Sequence, residues 1–263
     1  MELAKYAPLF EGAPLALWIN LARSPERRAK MQAELDALGV RHARVEAIDG
    51  ADMDGYAARH GVRVLCDARE SPGINGCVAS HVLAMIKFLR EHPDEERVMV
   101  LEDDCSFEYV PYWRKSLRAY LDATAAAAAV GPDAPPGIVQ LAVMLADPRD
   151  VGMISPDRAV PRPRPNWFST AAYVIDRAAA TAITSYFSSP SDSCGGGVVI
   201  DLRHAPTVHA DIILYVLAPT WTVPLLTYTC DMSYIHPEHV PSHVRHRETL
   251  ARWWQQQQQQ LAT

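Results

Sequence analysis

The chain has no long uninterrupted apolar run, no excess of positive charge and few cysteines, and each shortage argues against a class of protein. The most apolar long stretch, Ile212 to Cys230, is interrupted by Pro219 and Pro224 and diluted by threonines, so it reads as two strands around a turn rather than a membrane span. A formal net charge of −6 and a pI near 5.9 argue against nucleic acid as a partner, because a phosphate-backbone binder shows a basic face. The five cysteines, Cys66, Cys77, Cys105, Cys194 and Cys230, are widely spaced and form no C-x-x-C pair. Neither a zinc knuckle nor a disulfide framework is indicated, and a reducing compartment fits. Met1 to Pro14 shows no basic segment followed by an apolar one, so no cleaved secretory leader is read there. No G-x-x-x-x-G-K-[ST] phosphate loop and no internal repeat are found.

What is present suits one large α/β domain: 263 residues, 49% of them hydrophobic, bury a substantial core. Leu15–Asn20 reads as a strand. Ser24-Pro25 supplies an N-cap and an N1 proline for a helix with Met31, Leu35 and Leu38 on one side, closed by Gly39. His42–Ile48 reads as a second strand, parallel to the first. A helix over about Cys77–Leu89 precedes a strand from Arg97 to Glu102. Tyr112–Val130 reads as a helix, Ile138–Met144 as a strand, and Tyr173–Ile175 with Arg177–Phe187 as a strand and helix. Asp147–Pro165 reads as an ordered loop or a flap, and Ser188–Gly197 as a loop. The six glutamines after Trp253-Trp254 cannot bury apolar surface and read as a frayed tail. The expected division is a 1–14 extension, a 15–247 domain and a polar 248–263 tail.

The run Arg97-Val98-Met99-Val100-Leu101 empties into Glu102-Asp103-Asp104. If the strand stays extended through Asp104, its period of two places Glu102 and Asp104 on one side and Asp103 on the other. Paired carboxylates at the carboxyl end of a strand suit a hard cation such as Mn²⁺ or Mg²⁺ together with a substrate phosphate. A solvated acidic turn is the bland alternative.

Several separated motifs resemble glycosyltransferase family 25, the lipooligosaccharide and procollagen galactosyltransferase family. They are Trp18-Ile19-Asn20-Leu21 with Arg23-Ser24-Pro25-Glu26-Arg27-Arg28; Glu46-Ala47-Ile48-Asp49-Gly50; Gly76-Cys77 with Ser80-His81; Leu101-Glu102-Asp103-Asp104; Ser169-Thr170-Ala171-Ala172-Tyr173-Val174-Ile175; and His209-Ala210-Asp211. The resemblance spans about Leu15 to Asp211. Two departures stand out: Pro72-Gly73-Ile74-Asn75 occupies the region where the family usually has a glutamate, and His236–Arg247 matches the family's tail poorly.

The resemblance implies a GT-A-type, Rossmann-like nucleotide-sugar-binding fold with a mixed, mostly parallel central sheet, a UDP-sugar donor carrying galactose or glucose, and transfer with inversion to a hydroxyl of a glycan or glycoprotein. Mn²⁺ or Mg²⁺ would be held by Asp104 with Glu102, or with Asp103 in its place, as second ligand. Asn20, Leu21, Arg23, Arg27, Ser80, His81, Asp103 and Thr170 become donor-binding candidates, and Asp211 the base that deprotonates the acceptor. Each has a structural alternative: Asp211 as an N-cap or turn residue, Arg28 as part of a solvated face, His81 as a buried hydrogen-bonder. Arg158, Arg162 and Arg164 form either a flap over an anionic donor or a surface linker, while Trp167 either stacks on sugar or sits in the core. His236, His239, His243 and His246 either complete the ion's coordination or belong to a solvated tail. The rival readings are a non-catalytic UDP-sugar-binding relative and a metal-dependent phosphotransferase or nucleotidyltransferase. A cytoplasmic microbial or viral enzyme is expected, with no transmembrane segment and with oligomeric state left open.

Overall fold

The computed structural model describes residues 2–67, 70–145, 148–162, 167–188, 197–229 and 240–259. Its centre is an eight-stranded sheet built on β1 (Leu15–Asn20), β2 (His42–Glu46), β4 (Arg97–Glu102), β5 (Cys105–Ser106), β6 (Ile138–Ala142), β8 (Val160–Pro161), β10 (Ala172–Asp176) and β12 (Thr220–Tyr228). The order is β2-β1-β4-β10-β6-β12-β5, with β8 also paired to β12. β1 runs parallel to β2 and β4, and β12 parallel to β6, whereas β10 is antiparallel to both neighbours, β4 and β6. The sheet is therefore mixed but mostly parallel, with β2, β1, β4, β6 and β12 running one way and β10 between them the other, in an α/β fold.

Strand alternation explains the layers. Ala16, Trp18, Met99, Leu101, Ala172 and Val174 enter one apolar cluster, while Leu15, Leu17, Ile19, Val98, Val100, Tyr173 and Ile175 enter the other. Every residue of β1 is buried, so the strand reads in sequence as a continuous apolar run. On the first face lie α1 (Pro25–Ala37), through Met31 and Leu35, and α4 (Leu117–Val130), through Leu117 and Tyr120. The other face is covered by α3 (Pro72–Glu91), α5 (Arg177–Tyr186) and α6 (Ala210–Leu217). α3 is long and apolar enough to cross a membrane by length and composition alone, but most of that stretch is buried inside the molecule.

Local signals account for the helix ends. Gly39, at φ +66°, ends α1 with Gly39 N–H donating to Asp36 and Val40 N–H to Leu35, the paired bonds of a left-handed glycine stop. α3 begins earlier than its apolar period suggests, because Ser71 caps Ile74 N–H and Pro72 occupies the first turn. α4 starts later than expected: Val110–Tyr112 forms a short 3-10 turn, and Ser116 caps Ala119 N–H. Asp176 caps Ala179 N–H at 2.7 Å to begin α5. Gly76 and Gly50 let α3 rest directly on the chain after β2; a Cβ on Gly76 would sit 2.7 Å from both Gly50 N and Ile48 O. α2 (Met53–His60) and the small parallel pair of β3 (Val62–Leu65) with β11 (Val198–Asp201) fill the same side.

Two expectations are corrected. The first half of Ile212–Cys230 is helical, because Ala210, Ile213 and Leu214 are buried at helical spacing while Val216 stays exposed. Only Thr220–Tyr228 is a strand, and it tolerates Pro224 through a register shift between Thr222 and Leu226. The indoles of Trp254 and Trp113 take up carbonyls there, donating to Pro224 O at 2.9 Å and to Leu225 O at 2.8 Å. Lastly, the glutamine run is not frayed through Gln259: it continues α7 (Val240–Gln259), which is anchored by buried Leu250, Trp253 and Trp254 and by Arg114 donating to Gln257 O at 2.7 Å. A short pair, β7 (Met144–Leu145) with β9 (Trp167–Phe168), brackets the stretch expected as an ordered loop or a flap, and a 3-10 turn at Pro148–Met153 lies within it.

Candidate active site

The parallel register pairs Ile19 with Glu102, so the carboxyl ends of β1 and β4 lie side by side and Asn20 comes next to the acidic turn. β4 stops at Glu102, and Asp103-Asp104 form a turn before β5. The extended geometry that would put Glu102 and Asp104 on one strand face is therefore not formed; each acid is held in its own way.

Asp103 is bracketed. Asn20 Nδ2 donates to it at 2.7 Å and Arg27 at 2.9 Å. Asn20 in turn accepts from Arg44, at 2.9 Å on its side chain and 3.1 Å on its carbonyl. Asp104 is buried, and its carbonyl accepts from Thr229 N–H at 2.8 Å, which ties the acidic turn to the chain leaving β12.

Glu102 points toward the other side of the turn. Its Oε1 accepts from Thr170 Oγ1 at 2.7 Å and lies 3.3 Å from His81 Nε2, while His81 Nδ1 lies 3.1 Å from the Tyr173 hydroxyl. Burial alone would raise the Glu102 pKa. The hydrogen bond and charge of His81 outweigh it, helped by Thr170 and Arg27, and hold the carboxyl below its ordinary value. One helical turn before His81, Cys77 completes a cluster in which a ligand atom from each of Cys77, His81 and Glu102 lies within 4.8 Å of the others.

Asp211 sits in the first turn of α6. Burial raises its pKa and the Glu102 carboxylate adds to the rise, against His209 and a hydrogen bond from Ser169 N–H. The Cys77 thiol is also pushed well up, first by its surroundings and then by the charges of Glu102, Asp211 and Asp104, although part of its surface meets solvent. Ser169 joins these groups. It is the one non-glycine residue with positive φ among those described, at +88°, and its carbonyl accepts from Tyr215 at 2.6 Å and from Gln140 at 3.0 Å. One short segment thus serves Asp211 through Ser169 and Glu102 through Thr170.

The remaining candidates lie in supporting positions. Ser80 donates to Gly76 O at 2.6 Å and accepts from Ile48 N–H at 2.9 Å, so it fastens α3 to the chain after β2. Leu21 packs against the apolar cluster on the α3 face, and Arg23 pairs with Asp49 at an exposed rim. Arg28 and Arg158 are exposed. Arg162 stacks over the Tyr215 ring at 4.8 Å and donates to Trp167 O. Trp167 is a core residue, fully buried and donating to Asp150 at 2.9 Å. Arg164, Cys194, Cys230, His236 and His239 lie outside the described residues, as do the side chains of His243 and His246. Cys77, Ser169, Arg44 and Tyr215 carry parts of the site that motif reading does not assign. The Cys77–His81 spacing of four on a helix was a usable signal, whereas the positive φ of Ser169 leaves none.

The sheet thus sets Asn20 at the end of β1 beside the acidic turn that follows β4, with Asp211 carried in by α6, at the strand ends where open α/β sheets hold ligands. Comparison with known proteins agrees with the motifs. The profile described as "Glycosyltransferase family 25 (LPS biosynthesis protein)" matches residues 15–194, and the chain belongs to that family. It is 36% identical over 107 residues to a glycosyltransferase 25 family member of Drosophila melanogaster, covering 37% of this chain and 17% of the relative. It is 35% identical over 112 residues to one of Aedes aegypti, covering 40% and 18%. The chain thus spans less than a fifth of the length of these relatives.

Proposed function

We propose that this protein is an inverting glycosyltransferase of GT-A type that moves a hexose, galactose or glucose, from a UDP-sugar to a hydroxyl of a glycan or glycoprotein. The observation that carries the reading is the pair Glu102 and Asp211, whose environments push their pKa values in opposite directions. Neighbouring carboxylates separated in this way divide the labour of acid and base. Asp211, with its raised pKa, is the base that accepts the acceptor hydroxyl's proton at a carboxylate oxygen as the glycosidic bond forms. Glu102, kept ionised, keeps a fixed negative charge at the donor end.

The acids fit a hard divalent ion, since a buried Asp104 and an ionised Glu102 offer oxygen ligands at one strand end. When bound, Mn²⁺ or Mg²⁺ would offset the charge of the departing diphosphate. Asn20 and Arg27 hold Asp103, and Arg44 holds Asn20, which together fix the shape of the turn. Arg23 at the rim is placed for donor contact once it leaves Asp49.

The experiment is calorimetric titration with a panel of UDP-sugars, with Mn²⁺ and with chelator, followed by transfer assays on the sugar that binds. Mn²⁺-dependent binding of one sugar, with transfer lost in Asp211→Asn while binding persists, supports the reading. Binding without turnover in the presence of acceptor glycans would favour a non-catalytic relative, and no binding at all would favour phosphoryl transfer.

A further inference from the structure

The cluster of Cys77, His81 and Glu102 has chemistry that a hard ion and a sugar donor do not call for. A thiol, an imidazole and a carboxylate converge from α3 and the end of β4, with one potential ligand atom each, all within 4.8 Å of one another. Among the described residues no other trio of histidine, cysteine and carboxylate groups comes this close.

We propose that Cys77, His81 and Glu102 form a binding site for one zinc ion, with the fourth coordination position open. Mixed sulfur, nitrogen and oxygen ligands suit Zn²⁺, whereas Mg²⁺ and Mn²⁺ prefer oxygen. Zinc bonds of about 2.0–2.3 Å in tetrahedral geometry set ligand atoms roughly 3.4 Å apart, and His81 Nε2 and Glu102 Oε1 already stand at 3.3 Å. The supporting groups are in place as well. With Tyr173 accepting from Nδ1–H of His81, Nε2 faces Glu102 and offers its lone pair to the ion once its own proton leaves, and Thr170 fixes the carboxylate by donating to Oε1. His81 is buried and its ring is held, while Cys77 keeps an approach from solvent. On binding, sulfur–zinc and nitrogen–zinc bonds form as the Cys77 thiol and the Nε2–H of His81 release their protons to water, with no change in oxidation state. The site shares Glu102 with the hard-ion site proposed above, so the two ions compete for that carboxylate.

Two measurements on the full chain test it. Cobalt, used as a spectroscopic substitute for zinc, should bind once per chain and give a thiolate-to-metal charge-transfer band in the near ultraviolet. Zn²⁺ should abolish that band, Cys66→Ser should keep it, and folded Cys77→Ser should lack it. His81→Gln should weaken zinc binding at least tenfold. A second readout needs no variant: Zn²⁺ should slow alkylation of Cys77 at least tenfold, read by mass spectrometry, leaving Cys66 unchanged, and Mn²⁺ should not. Absence of the band from the wild-type protein, its survival in folded Cys77→Ser, or equal protection by Mn²⁺ would overturn the assignment.

Discussion

The two sides of the acidic turn are built to different ends. Toward β1, the groups satisfy one another: Asn20 and Arg27 neutralise Asp103, and Arg44 fixes Asn20. Toward α3 and α6, the arrangement stays tense. Glu102 and Asp211 oppose each other, Ser169 holds a rarely occupied backbone conformation, and the Cys77 thiol is kept protonated among carboxylates. Saturated hydrogen bonding gives shape, whereas opposed charges and local strain give reactivity. The first side is scaffold and the second is where chemistry is expected.

The contrast is broken most decisively at Asp211. Asp211→Asn should lower transfer by about 10²- to 10⁴-fold, the usual worth of a general base, while donor affinity, measured by calorimetry, stays within a few-fold. On the scaffold side, Asn20→Ala should act through stability, since it leaves Asp103 and Arg44 without their shared partner; a loss of about 1.5–3 kcal/mol in denaturant unfolding is expected. Gly76→Ala should cost about 1–3 kcal/mol by the same measurement, because the new methyl meets backbone at Ile48 and Gly50.

The pH dependence sharpens the comparison with opposite signs. Glu102 is held below 4.5, so its stabilising contribution is present above that pH and is lost as pH falls through its folded value. Asp211 is raised above 3.8, so its ionisation disfavours the fold at neutral pH, and acid titration through its folded value relieves that cost. At pH 7, Glu102→Gln should therefore lower Tm and Asp211→Asn raise it, each read by thermal scans. The smallest effect is expected at Ser169: Ser169→Gly should keep the fold and gain up to about 1 kcal/mol, whereas Ser169→Val should lose both stability and transfer.

Much of this was readable in the residues. The opening strand, helix and strand follow from Leu15–Asn20, Ser24-Pro25 and Gly39, because periodicity and stop signals there are local. The strand into Glu102 is equally plain. The path of the chain after Glu102 was not, since a turn and an extended continuation are both open to Asp103-Asp104 until Asn20 and Thr229 engage them. Ile212–Leu217 misleads for a related reason: a short apolar run fits strand or helix, and only the surface it covers decides. The glutamines mislead because their helix is set by Leu250, Trp253 and Trp254 before them rather than by their own composition. Ser80 shows that motif and role can part: it fastens two backbones, and its sequence neighbour His81 faces the acids.

The dependence of β12 on Trp254 has a consequence for biosynthesis. The carbonyl of Pro224 is answered by an indole made thirty residues later, on a helix that also holds Arg114 far upstream. On the ribosome, the strands that flank β12 are all made before it, but the carbonyl of Pro224 waits for its indole donor until residue 254 has cleared the exit tunnel. Synthesis and closure of the molecule are thus coupled in time, and a ribosome stalled in the segment between β12 and α7 would present quality control with a strand whose Pro224 carbonyl has not yet met its donor.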